Sequence, residues 1–467
     1  MKGKWRNAVC LALSVTTVLG TVGCSGGNTA KLEDLYVPTY EDNGKSVRMM
    51  STLHPNPLDR EAMELYKAVG FNAIPYAEDF VKAEEVLTLG ADAPYLRGLE
   101  LCEELGLDVF IRPHNNYTSE TPTTEPNYFE KYFSTIDFRD YPAVKGFFVT
   151  DEPVYGKLFD LEDRYLTWFN ENYGGEYFEF TSNIYGCQNT NWKTGAYADK
   201  SYDEYAEKYL SIIEQANSAR KLHTIDIYPL HQTEGFKDIQ NEYILWAHED
   251  AAARAKAHGF GLHLCVQTFG SAVDYLAWKI PTSFEEIDFC LNSTLAFGPE
   301  RLEFFSYRDY TKDNLVGMVT NGEPNERYYW TQQAVQTFKK WEHVYLSYKW
   351  DHLFTNVGTG SRSAVNPAFE LVRGKVKPIT DVEKVRSKYD IIMNEFTDGE
   401  GNKAFMLLNY DAPILKRNNE TTITFKEAQG VMYYRDGEPM TAVLKDGKFE
   451  IELKAGEAIF VIPLYQK

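Results

Sequence analysis

The sequence predicts an α/β chain: a (β/α)8 TIM barrel followed by a C-terminal antiparallel β-sandwich. Three observations carry that reading. Short apolar runs alternate with amphipathic segments eight times between residues 46 and 350. No Gly-rich phosphate loop follows an early strand, as an open doubly wound sheet would want. After about residue 354 the pattern changes to short β runs separated by Asp-Gly turns. At 467 residues the chain is long enough for a barrel and a second module.

The expected barrel strands are 47–51, 73–76, 109–113, 146–150, 179–183, 223–228, 262–267 and 302–306. The expected helices are 59–69, 93–105, 161–172, 202–219, 241–258, 283–295 and 325–349. Gly70, Gly106, Gly259 and Gly298 stand just past helix ends, where a left-handed residue is wanted. In the C-terminal part, strands are expected at 404–409, 421–425, 431–434, 449–453 and 458–462. Asp398-Gly399, Asp436-Gly437 and Asp446-Gly447 mark turns. The domains are therefore placed at 46–355 for the barrel and 356–467 for the sandwich.

The first 23 residues read as an export signal. Lys2, Lys4 and Arg6 precede an apolar run of about a dozen residues, too short to span a bilayer. It ends in Thr21-Val22-Gly23-Cys24, followed by a Gly/Ser stretch, and 24–45 reads as a linker. Small residues before Cys24 resemble a bacterial lipobox, although Thr21 stands where Leu is usual. The resemblance implies lipidation of Cys24, so the expected location is the bacterial cell envelope, outside the cytoplasm, with the membrane as a partner through the anchor.

The formal net charge of −20 repels phosphate backbones, so nucleic acid is not an expected partner. Aromatic residues reach 15%, and such rings fill cores as well as stack on sugars. No Cys lies in a CxxC pair, and His54-Pro55-Asn56 lacks the second His of a barrel metal site, so neither metal nor cofactor is expected. Cys102, Cys187, Cys265 and Cys290 read as buried free thiols.

In such a barrel the active site lies at the C-terminal strand ends. The sharpest signal there is Asp151-Glu152-Pro153, two carboxyls after an apolar run. A carboxyl beside apolar walls and a like charge has its pKa raised, as a general acid requires. Asp226 shares parity with Thr224 and Tyr228, so the three can face the interior together. A lone carboxyl among Ile225 and Ile227 is costly unless it is used or hydrogen-bonded.

The stretch GFFVTDEP at 146–153 resembles the strand-4 region of clan A glycoside hydrolases. There an Asn-Glu pair ends the strand and the Glu is the acid/base. The resemblance implies that Glu152 is the acid/base and that Asp151 replaces the Asn that contacts sugar. That clan carries its nucleophile Glu at the end of strand 7, where this chain has Gln267. The second carboxyl is then sought in Asp226, with Asp151, Glu78 and Asp79 as alternatives. Arg112, His114, Asn115, Asn183 and Gln267 are expected to bond sugar hydroxyls, and Tyr76, Tyr228 and Tyr307 to stack on or orient the ring. The expected function is hydrolysis of an extracellular glycan, the alternative being an inactive barrel that captures glycan at the cell surface.

Overall fold

The computed structural model describes residues 31–77, 85–112, 135–153, 156–188, 193, 199–231, 242–273, 278–360 and 366–467. The export segment and Cys24 lie outside them, as do Glu78, Asp79, His114 and Asn115. All eight barrel strands form: β1 (Arg48–Ser51), β2 (Ala73–Ala77), β3 (Asp108–Arg112), β4 (Val144–Asp151), β5 (Glu179–Tyr185), β6 (Leu222–Asp226), β7 (Gly261–Gln267) and β8 (Arg301–Phe305). Each pairs in parallel with its neighbour in the order β1-β8-β7-β6-β5-β4-β3-β2. The seam between β1 and β2 is closed by Asn72, whose backbone N–H donates to Met49 O at 3.0 Å, and by the Tyr66 hydroxyl, which accepts from Ser51 N–H and donates to Ala73 O. Asn72 Oδ1 accepts from Met49 N–H at 2.8 Å, and Asn72 Nδ2 donates to Val47 O at 3.0 Å.

The principal helices are α1 (Arg60–Ala68), α2 (Pro94–Leu105), α3 (Gly156–Asn172), α4 (Tyr202–Gln215), α5 (Ile244–His258), α6 (Phe284–Leu295) and α7 (Glu326–Lys339). Their ends follow local chemistry. Ser201 and Glu204 form a capping box at α4, and Gly106 and Gly259 end α2 and α5 in the left-handed region. The expected helix 325–349 is shorter than the sequence suggests. It stops at Lys339, a single turn follows, and β9 (Tyr348–Asn356) begins where helix was expected. Tertiary pairing of β9 with the strand Ile391–Asp398 decides this, since Tyr348 to Asn356 run antiparallel along it.

The sandwich has a six-stranded sheet and a three-stranded sheet. The first holds β9, β11 (Ile391–Asp398), β12 (Lys403–Asn409), β14 (Gly430–Arg435), β15 (Glu438–Val443) and β17 (Ala458–Leu464). The second holds β10 (Val382–Ser387), β13 (Asn419–Phe425) and β16 (Lys448–Leu453). The larger sheet is apolar on both faces. Ile391, Met393, Phe405 and Leu407 pack on the smaller sheet, whereas Ile392, Phe396, Met406 and Leu408 join the barrel's core. Period-2 alternation thus serves two cores at once. Lys403 lies 3.0 Å from Glu395 and 3.6 Å from Asp351, and Asp351 also pairs with Lys256 of α5, so charges tie the two modules together. The four described cysteines are free, and Cys102, Cys265 and Cys290 are buried.

The barrel floor is ionic. Arg48 and Arg301 both pair with Glu179, and Arg48 also bonds Asp108 at 2.9 Å. The Arg301 guanidinium lies 4.0 Å over the Phe110 ring, which with Met50, Ala73 and Phe148 fills the apolar middle. Removing one member of a buried pair leaves an uncompensated charge. Glu179→Gln is therefore expected to cost about 3–5 kcal/mol of stability, measurable as a lowered urea midpoint with an unchanged slope.

Candidate active site

The site grows from one irregularity in β4. Phe148 pairs with Thr181 and Asp151 with Asn183, so three steps on β4 match two on β5. That extra residue is a β-bulge, and it reverses the facing of all that follows. Phe148 points into the barrel, Thr150 turns outward to bond the buried Glu162 of α3, and Asp151 returns to the mouth. Glu152 then takes a left-handed backbone with φ of 47°, held by its N–H donating to Asn183 O at 3.0 Å. Such a conformation costs on the order of 1–3 kcal/mol in a non-Gly residue and persists only where surroundings impose it.

The turn brings the Glu152 carboxyl against β5 and β6. It hydrogen-bonds Asp226 and the Tyr185 hydroxyl. Burial first, then the Asp226 and Asp151 charges, hold Glu152 well above the usual carboxyl range. Asp226 is partly exposed, with Oδ1 sealed from solvent. Burial and the Asp151 charge push it up to about 6, against hydrogen bonds from Glu152 and Asn183. Contact between two raised carboxyls favours a proton held between them.

Asp151 is the half-exposed member. It accepts from Arg112 Nη2 at 3.0 Å and from Asn183 Nδ2 at 3.0 Å. Arg112 itself lies 4.5 Å over the Phe148 ring, so its guanidinium is fixed on both sides. Asn183 thus bridges Asp151 and Asp226.

One further carboxyl was not among the sequence candidates. Glu303 of β8 is buried beneath the mouth, and His263 Nε2 lies 3.5 Å from its Oε2. Burial pushes Glu303 up to about 7, with Arg112 opposing. Its parity with Arg301 and Phe305 on β8 is the signal the sequence carries for it, two residues below the strand end. Tyr185 is the other addition, at the end of β5 opposite Asp226 in register.

The remaining candidates divide. Tyr228 faces the mouth side of β6 and packs edge-on to Phe269, with centroids 4.8 Å apart. Tyr76 does not reach the mouth: its hydroxyl donates to Tyr95 O at 2.7 Å within the layer between barrel and helices. Tyr307 is likewise buried against Tyr66 in that layer. Gln267 is consumed by backbone. Its Oε1 accepts from Leu230 N–H at 2.7 Å, and its Nε2 donates to Leu230 O, Phe269 O and Lys279 O. It clamps the loops after β6 and β7 and has no amide group left for sugar.

With this geometry in place, solved structures of similar fold can be compared. The fold is that of a (β/α)8 TIM barrel followed by an antiparallel β-sandwich. One structure described as a glycoside hydrolase superposes with a TM-score of 0.50 at 9% identity, over 93% of this chain and 96% of that one. A GH27 β-L-arabinopyranosidase from Geobacillus stearothermophilus gives 0.46 at 11% identity over 91% and 98%, and an Anoxybacillus alpha-amylase gives 0.47 at 10% over 91% and 99%. No protein-family model and no curated protein matches the chain. Identities this low speak for fold and leave residue roles to the site itself.

The raised carboxyls have a consequence for stability. Glu303, Asp226 and Glu152 bind protons more tightly folded than unfolded, so the native state holds more protons between pH about 4.5 and 7. At these three groups stability is lost as pH rises through that window, whereas the buried His54, His223, His248 and His263, whose pKa values burial lowers, act in the opposite sense up to pH about 6.5. Glu303→Gln is expected to flatten the fall by on the order of 3 kcal/mol, read from urea unfolding at pH 5 and pH 8.

Proposed function

We propose that the protein is an exported, lipid-anchored glycoside hydrolase whose working pair is Glu152 and Asp226. The observation that carries this reading is the hydrogen-bonded contact of those two carboxyls at the C-terminal mouth of the barrel. Four carboxyl groups, those of Asp151, Glu152, Asp226 and Glu303, share this end with Arg112. The excess of negative charge keeps a proton on Glu152, which is the state a general acid needs.

Hydrogen-bond contact between two carboxyls leaves no room for an interposed water. Contact lies nearer the retaining separation of about 5–5.5 Å than the inverting one of about 6.5–9.5 Å, and the pair parts as a sugar enters between its members. In the first step Glu152 gives its proton to the leaving glycosidic oxygen as the C–O bond breaks. An Asp226 oxygen bonds to the anomeric carbon on the opposite face. In the second step Glu152, now a carboxylate, takes a proton from water, and the resulting hydroxide replaces Asp226. Asp151, held by Arg112 and Asn183, lends negative charge to the oxocarbenium-like transition state. Tyr185 orients Glu152 in both protonation states.

The absent strand-7 Glu favours a second reading, a barrel that captures glycan without cleaving it. Aryl glycosides and oligosaccharides of varied sugar and linkage separate the two. Under the hydrolase reading some are cleaved, and Glu152→Gln lowers kcat by about 10²–10⁴ while binding persists. The wild-type rate falls on the alkaline side as Glu152 loses its proton. Binding across the set with no cleavage at any pH overturns hydrolysis and leaves capture.

A further inference from the structure

A second cavity, of about 560 Å³, lies between the helical layer of the barrel and the sandwich. Its walls come from α6, α7 and the sandwich, and it shares no lining residue with the mouth. The floor is aromatic: Trp341 and Tyr434 are buried, with rings stacked 5.9 Å apart at 21°, and Phe338 packs edge-on to Trp341. The rim is polar and exposed at Lys416, Asn418, Asp436 and Lys454. Size, position between modules and an apolar floor with few polar groups are the marks of a small-ligand site.

The charges around it cancel in pairs. Arg435 holds Glu457 through two hydrogen bonds of 2.7 and 2.9 Å. Lys454 lies 3.8 Å from Asp436, and Lys416 is within electrostatic reach of Glu285. Asp288 remains. Burial, with Glu457 and Asp436 nearby, pushes it up to about 8, so it holds its proton at neutral pH and offers a donor. Asn292, hydrogen-bonded to Asp288, donates its amide to Gly456 O.

A cationic ligand finds no unneutralised carboxylate among the lining residues, and an anionic one finds their lysines already matched by carboxylates. The surface that remains is uncharged, with donors and acceptors above stacked rings. That chemistry fits a ring with apolar C–H faces and hydroxyl edges. We propose that this cavity is a second carbohydrate site, which takes one neutral sugar unit of a glycan and acts independently of chemistry at the mouth.

Calorimetric titration of the purified full chain with maltotetraose, cellotetraose, xylotetraose and mannotetraose tests it, because binding is read without any need for hydrolysis. Ala455→Trp projects an indole into the cavity from a buried wall position. At least one tetraose is expected to bind, with affinity reduced tenfold or more in Ala455→Trp and retained in Arg112→Ala at the mouth. Should Ala455→Trp fail to fold by circular dichroism, the paired rim change Asn418→Ala with Lys454→Ala carries the same expectation. The proposal is overturned if none of the four binds at millimolar concentration. It is also overturned if binding ignores the cavity variants or vanishes in Arg112→Ala alone. Hydrolysis at the mouth stands or falls separately on the Glu152→Gln result.

Discussion

Among the described residues, more negative charge is gathered at the barrel mouth than Arg112 can neutralise, and the site follows from that excess. Asp151 takes the guanidinium and the Asn183 amide. Glu152 and Asp226 are left facing each other in a partly dry space, where two ionised carboxyls in contact repel strongly. Retaining one proton between them relieves that repulsion. Crowding thus raises the pKa of both carboxyls, without needing different residue types.

That crowding has to be held in place, since charge repulsion alone would splay the strands. The bulge in β4 re-aims Asp151, and the left-handed backbone of Glu152 swings the next carboxyl over β5 and β6. Below them the chain is braced by opposite charges: Arg48 and Arg301 converge on Glu179, and Phe110 and Phe148 separate that floor from the mouth. The strained turn is therefore supported by a rigid interior, as pre-organised sites require. Gln267 completes the frame by locking the loops after β6 and β7 through backbone hydrogen bonds.

The sandwich is built into the same body. Its larger sheet buries one face against the smaller sheet and the other against the barrel's helices. Packing helices on a twisted sheet leaves gaps at the edges, and the cavity beside Trp341 and Tyr434 is one of them. Two concave sites of different character result: a charged, proton-holding mouth and a charge-balanced recess over aromatic rings.

Periodicity alone made all eight barrel strands legible, because parallel barrel strands are short apolar runs bounded by polar ends. The Asp151-Glu152 doublet and Asp226 were legible too, one from its strand end and the other from its parity among Ile225, Ile227 and Tyr228. The sequence could not place Tyr76, Tyr307 or Gln267, since facing at a strand end changes by one residue and the partner that claims a side chain lies far along the chain. Glu303 escaped because a buried carboxyl below the strand end looks the same in sequence as any polar interruption. The expected helix 325–349 overran the first two residues of the strand Tyr348–Asn356, because that strand's pairing partner begins more than thirty residues later. The sequence by itself determined the order of elements and which carboxyls stood at strand ends, both being matters of local spacing. Only the tertiary structure decided which carboxyls touch and share a proton, because a bulge and a left-handed turn set their facing and burial set their charge.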